Sequence, residues 1–293
     1  MKIDGTAIAD VLLGNLFTQV AQLIQKNITP TLAVIQVGDD PSSMSYIRQK
    51  EKAADRIGAA IILNQQPEST KPEQLNTLIA QYNADPKVHG LIVQRPLPEI
   101  MGDMTAILNT VAPGKDVDGF VPNSLFTPPV SRAVLYILEE ILRIGKGIPP
   151  QESIPQQAII NWLRSKSVVV VGRGSTAGTP ITTSIARYGC ATSVIHSQTP
   201  NPDQVMRTAD IIISCVGKRR VISRDQVKPD AILIAVGMWK DENGKYHGDY
   251  EEADIANLAS FYTPSPGGVG PVNVAFLMQN LADAAKKQSE TTP

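Results

Sequence analysis

The stretch SVVVVGRGSTAGTP, residues 167–180, decides the fold. Its four consecutive valines read as a strand buried on both faces, and the spacing after Gly178 reads as a helix to Tyr188. Between them Gly172, Arg173 and Gly174 sit where a backbone turns tightly and approaches a pyrophosphate, whose charge the following helix N-terminus favours. The spacing is G-x-G-x-x-x-G rather than G-x-G-x-x-G. A generic strand–helix turn would share these glycines, so the flanking strand and helix carry the reading.

The same rhythm extends in both directions. Residues 191–196, 209–217 and 231–237 read as further strands, and residues 31–37, 59–63 and 89–94 form an earlier set. Helical spacing covers 6–25, 42–57, 72–83, 132–143 and 272–286. Strands alternating with helices predict two α/β domains with parallel sheets around a cleft, the second Rossmann-like. The expected domains are 1–125 and 126–270, with a helix over 271–288 returning to the first. GKGIPPQESIPQQ, 145–157, reads as an exposed connection. Ligands of such sheets sit at the carboxyl ends of strands, which directs attention to the loops following them.

Composition narrows the function classes. The chain has 293 residues, with 27 Lys and Arg against 28 Asp and Glu, a net charge of -1. No positive field exists to draw in a polyanion, so no nucleic-acid partner is expected, and Lys218-Arg219-Arg220 reads as a solvated loop. The two cysteines, Cys190 and Cys215, lie in apolar stretches and read as buried reduced thiols; no metal spacing is present. Asp4 and Asp10 fall where an export signal would be apolar. The longest nearly apolar run, Ala231–Trp239, is about half a membrane span, so a cytoplasmic protein without a membrane partner is expected.

Other segments carry chemistry. An acid that would hold the ribose of NAD is missing from the strand end His196-Ser197-Gln198-Thr199. Arg173 and Ser197 there suit a 2′-phosphate, which favours NADP. His196 is either a structural ring or a ligand contact. Tyr46 and Lys50, four residues apart, share a helix face with the small Ser43 and Ala53. A lysine held in a closing cleft loses its preference for the ammonium form and can act as an acid/base, although a surface Tyr/Lys pair has the same spacing. In PGKDVDGF, Asp118 can grip a ring bearing N–H groups, while Asp116 reads as a turn or cap residue.

Together, VGDDPSSMSYIRQKEKAADRIG, GLIVQRPLP, PGKDVDGF, VVVVGRGSTAGTP, HSQT, ADIIISCVGK, HGDY and TPSPGGVGP resemble the bifunctional methylenetetrahydrofolate dehydrogenase/cyclohydrolase family, in the family's order. The resemblance implies oxidation of 5,10-methylenetetrahydrofolate with NADP+, then hydrolysis of the methenyl form to 10-formyltetrahydrofolate. It makes Lys50 the acid/base, with Tyr46 stacking beside the folate, Gln94 tuning the lysine and Asp118 binding the pterin's amino edge. Ser43, Val93, Pro266, Gly267, Gly268, Val269 and Gly270 would line the folate site. Gly172, Arg173, Gly174 and Ser197 would hold NADP, with Met238 near its far end, and a homodimer is implied.

The chain departs from the family's pattern at Arg95, where the family has leucine, at Gly174 in place of serine, and at Ala235 in place of aspartate. A monofunctional relative and a non-catalytic folate or nucleotide binder therefore stand as alternatives. Arg95 either lowers the lysine's pKa or meets solvent or the substrate's glutamate tail.

Overall fold

The computed structural model describes residues 1–291. The chain divides into two compact units, Ala9–Pro129 with the segment from Val274 onward, and Met1–Ile8 with Val130–Asn273.

The first unit holds most of α1 (Gly5–Ile24), then β1 (Thr31–Val37), α2 (Pro41–Ile57), β2 (Ala60–Gln66), α3 (Pro72–Ala84), β3 (Gly90–Val93) and α4 (Met104–Leu108). The strands are parallel in the order β2-β1-β3. Alternation along them sorts side chains into two cores. Leu32, Val34 and Ile92 meet Ile47, Ala53 and Ile57 of α2, whereas Ala33, Ile35, Leu91 and Val93 meet Leu75 and Ile79 of α3. β2 runs three residues beyond the apolar pattern, because Asn64, Gln65 and Gln66 pair with β1 as far as Val37. Backbone pairing needs no apolar side chain there.

Asp40 caps α2, accepting the Ser43 N–H at 2.7 Å; Pro41 opens the helix and Gly58, at φ 79°, ends it. Among the described residues α1 is one helix with the length and hydropathy to cross a membrane. It is the helix expected over 6–25, and Asp10, Asn15 and Gln19 interrupt its apolar run. Ala9, Leu13, Leu16 and Val20 instead line the first core, and Asp10 pairs with Arg56.

The second unit contains α5 (Pro129–Lys146), α6 (Gln156–Arg164), β4 (Val168–Val171), α7 (Gly178–Arg187), β5 (Thr192–Ile195), α8 (Pro202–Arg207), β6 (Ile211–Ser214), β7 (Ile232–Ala235), β8 (Met238–Lys240), β9 (Tyr246–Gly248), α9 (Glu252–Ile255) and β10 (Phe261–Tyr262). Five parallel strands run β10-β7-β6-β4-β5, and β8 and β9 form an antiparallel hairpin. Ile3 N–H donates to the Tyr262 carbonyl at 2.8 Å, so the first residues of the chain extend this sheet's edge.

Residues 145–157 are largely exposed, as expected of a connection, with Ile154 the one buried residue among them. α6 begins inside that stretch, and Ile154, Ile159 and Leu163 are buried. Buried Arg143 donates to the carbonyls of Pro149 at 2.8 Å and Glu152 at 2.5 Å, fastening the loop. The prolines disguise this helix, whose apolar stripe is short. The final helix, α10 (Val269–Thr291), places Val274, Leu277 and Leu281 in the first unit's core. Gly90 admits it, since a Cβ there would lie 2.9 Å from Leu281 and Val117.

Candidate active site

α2 turns Ser43 and Lys50 inward, at 2% and 8% exposure, with Tyr46 half-buried between them. Lys50 Nζ donates to Gln94 Oε1 at 2.8 Å. Gln94 Nε2 donates to the Arg95 carbonyl at 2.9 Å, and Ser43 Oγ donates to that carbonyl at 3.2 Å. With its amide nitrogen so engaged, the carboxamide presents only oxygen to the lysine. Burial holds the Lys50 pKa below the ordinary lysine range; Asp118 opposes the shift and Arg95 adds to it. A lysine with a lowered pKa is more available as a neutral proton acceptor.

Arg95 does not hang in solvent. Its guanidinium lies 4.5 Å from the Phe120 ring centre, a cation–π contact that holds the charge where it acts on Lys50. Asp118 rides on a turn built by Asp116, which accepts the N–H of Gly119 at 3.1 Å and of Val121 at 2.9 Å. Burial pushes the Asp116 pKa up, and its role is the turn residue the sequence indicated. Gly119 has φ 73°, and a Cβ there would lie 2.7 Å from the Phe126 carbonyl oxygen. The Val93 side chain lies in the α3-side core, on the opposite sheet face from α2. Only its backbone is left to serve a ligand beside Lys50.

In the second unit the glycine loop follows β4. Gly172 has φ 104°, and a Cβ at Gly178 would sit 2.1 Å from the Gly172 carbonyl oxygen, so only glycine lets α7 start against this turn. Arg173 and Gly174 are exposed, and no atom lies within 4 Å of a Cβ built at Gly174. An open turn against a ten-residue helix's N-terminus fits a dinucleotide pyrophosphate. Gly172 N–H donates to the Ile195 carbonyl at 2.8 Å, which brings the ends of β4 and β5 side by side. Exposed Ser197 follows β5. His196 builds that turn: its Nδ1 accepts the Gln198 N–H at 3.2 Å, and its own N–H donates to Thr199 Oγ1 at 2.9 Å.

Sequence reasoning assigned no role to Asp249, although it lies in the quoted HGDY. It is fully buried and accepts Ser214 Oγ–H, the Val216 N–H at 3.0 Å and the Lys218 N–H at 2.9 Å. These bonds shape the loop after β6, so β6 ends at Ser214 rather than at 217. A Cβ at Gly237 would lie 2.2 Å from Asp249 Oδ2, and one at Gly172 would lie 2.9 Å from the Cys215 carbonyl oxygen. A lone aspartate after a glycine, opposite a glycine-ended strand, was the available signal.

Cys215 is half-buried rather than buried, and burial with Asp249 nearby pushes its thiol up to about 12, so it stays protonated. Cys190 is buried and free. Met238 is half-buried on β8, and a Cβ at Gly217 would lie 2.9 Å from its carbonyl oxygen.

The segment Pro266–Gly270 belongs to the second unit. Thr263 Oγ1 accepts the Ala235 N–H at 2.8 Å, and Tyr250 OH donates to the Thr263 carbonyl at 2.6 Å. Ala235, where the family carries aspartate, thus keeps a backbone anchor to this segment. Gly267 has φ 98°, and a Cβ at Gly268 would lie 2.4 Å from the Pro264 carbonyl oxygen. Pro266 is exposed, Val269 is buried and Gly270 is half-buried. Among the described residues no cluster of three His, Cys, Asp or Glu could hold a metal ion.

Fold and site define an α/β enzyme with a buried, carboxamide-held lysine in one unit and a dinucleotide-binding turn in the other. Residues 3–118 match the tetrahydrofolate dehydrogenase/cyclohydrolase catalytic domain, and residues 156–289 match that family's NAD(P)-binding domain. The chain is 37% identical over 294 residues to the bifunctional protein FolD of Geobacillus thermodenitrificans, covering 97% of each. It is similar to the crystal structure of the Campylobacter jejuni bifunctional FolD enzyme, with a TM-score of 0.88, 31% identity, and coverage of 98% of this chain and 99% of that one. The Trypanosoma brucei FolD, solved with NADP cofactor and an inhibitor, gives a TM-score of 0.85 at 29% identity, covering 100% of this chain and 99% of that one. The chain belongs to the tetrahydrofolate dehydrogenase/cyclohydrolase family.

Proposed function

We propose that this enzyme oxidises 5,10-methylenetetrahydrofolate to the methenyl form with NADP+ and hydrolyses that form to 10-formyltetrahydrofolate, with Lys50 as the acid/base. The observation that carries the reading is the buried Lys50, held by Gln94 with Asp118 and Arg95 acting on its charge. Bound NADP+ supplies a hydride acceptor for the methylene carbon. In the hydration step neutral Lys50 takes the proton of the water that adds to the methenyl carbon, and the ring then opens. The cationic substrate favours the neutral lysine further. Gln94 fixes Nζ, Tyr46 stacks beside the folate, and Asp118 accepts from the amino edge of the pterin.

Gly172, Arg173, Gly174 and the α7 N-terminus would hold the pyrophosphate. Arg173 and Ser197, with no carboxylate nearby in sequence, favour the 2′-phosphate of NADP. The hydration chemistry falls to the domain expected over 1–125, and cofactor binding to that over 126–270. The Ser43 region would line the folate site, and the protein would be a cytoplasmic homodimer.

The test is Lys50→Met with 5,10-methylenetetrahydrofolate and NADP+, following reduced cofactor and methenyl product separately. Methenyl product should accumulate, with hydrolysis falling about a hundredfold or more. Hydrolysis at the wild-type rate would overturn the assignment.

A further inference from the structure

Gln36 is fully buried near the end of β1, and its Oε1 has no hydrogen-bond partner. Its Nε2 reaches only the Val37 carbonyl, at 3.4 Å. A buried amide oxygen left unpaired is costly, so a glutamine here calls for a reason. Strand geometry supplies one. Leu32 and Val34 face the α2-side core, and so, two residues on, does Gln36. On β3, Ile92 faces the same core and Gln94 follows with the same parity. Ile35 pairs with Val93, which sets Gln36 and Gln94 side by side on the face that receives Lys50.

An ammonium has three donors, and Gln94 Oε1 takes one. We infer that Gln36 is a positioning residue, its Oε1 being a second acceptor for the Lys50 ammonium through one water. This rests on the proposed role of Lys50. The charged groups acting on Lys50 are Asp118 on the 116–121 turn and Arg95 after β3, and neutral Gln36 is the polar group β1 contributes. An acceptor on the ammonium stabilises the charged form.

The test is the acid limb of the cyclohydrolase pH–rate profile for Gln36→Leu, Gln36→Met and Gln36→Glu, with thermal unfolding recorded for each. Removing the acceptor moves the limb to lower pH, raising the rate on the limb roughly twofold or more. The glutamate moves it to higher pH. A role in packing alone would change unfolding temperatures and leave the limb in place. Limbs for the Leu and Met variants that superimpose on wild type overturn the inference. If Lys50→Met still hydrolyses substrate, the Lys50 reading falls instead.

Discussion

Asp249 is the residue on which the cofactor side of this enzyme turns. Asp249→Ala strips the acceptor from three donors at once. Lys218 is exposed and its N–H can rehydrate, whereas Ser214 is fully buried and Val216 half-buried. Two donors stranded at about 1–3 kcal/mol each give a loss of roughly 2–6 kcal/mol, out of a typical total near 5–15 kcal/mol. Asp249→Asn retains an oxygen for Ser214 and Val216 but sets an amide NH2 against the Lys218 N–H, a loss of about 2 kcal/mol. At roughly 2–4 °C per kcal/mol, the Asn variant should melt about 4–8 °C below wild type and the Ala variant lower still. The loop so loosened abuts Gly172, so NADP+ binding should weaken about tenfold or more, corresponding to 1.4 kcal/mol or more. Differential scanning calorimetry and isothermal titration with NADP+ read both. An Asp249→Ala protein melting within about 1 °C of wild type would refute the reasoning.

Three further outcomes follow from the geometry. Arg95→Leu removes the cation that helps lower the Lys50 pKa, so the lysine keeps its proton to higher pH; the acid limb of the cyclohydrolase profile should move up, and the rate on it should fall roughly threefold. Gly178→Ala drives a methyl group into the Gly172 carbonyl, 2.1 Å away, and NADP+ affinity should drop at least about tenfold in the same titration while folate binding is kept. For Asp210, burial acts to raise the pKa, but the hydrogen bonds from Lys228 and Ser167 outweigh it and hold the carboxyl at about 2. That stabilisation is complete above the ordinary value of 3.8 and is lost as pH falls through about 2. Asp210→Asn should therefore lower stability by about 1 kcal/mol at pH 7, a figure kept small by solvent screening, and the gap in melting temperature should narrow below pH 3.8 and close as pH falls through about 2.

Much of the molecule was legible in its residues. The four valines before Gly172, the glycines that follow and the alternation of strand and helix specify parallel α/β construction. The four-residue spacing of Tyr46 and Lys50 puts them on one helix face. Each of these signals is local, governed by the 3.6-residue helix, the two-residue strand and the conformational freedom of glycine. The helix over Gln156–Arg164 escaped notice because prolines and polar residues outweigh its short apolar stripe.

What spacing could not supply were relations between distant residues. The 44-residue separation of Lys50 and Gln94 is closed by the β1–β3 register, which brings the carboxamide under α2. Burial of Lys50, the stacking of Arg95 on Phe120 and the three donors converging on Asp249 likewise exist only after the chain has crossed its own sheets. By itself, then, the sequence determined which elements form and which faces they bury. The tertiary structure alone decided the proton affinity of Lys50 and the shape of the cofactor loop, because both depend on desolvation and on partners far away along the chain.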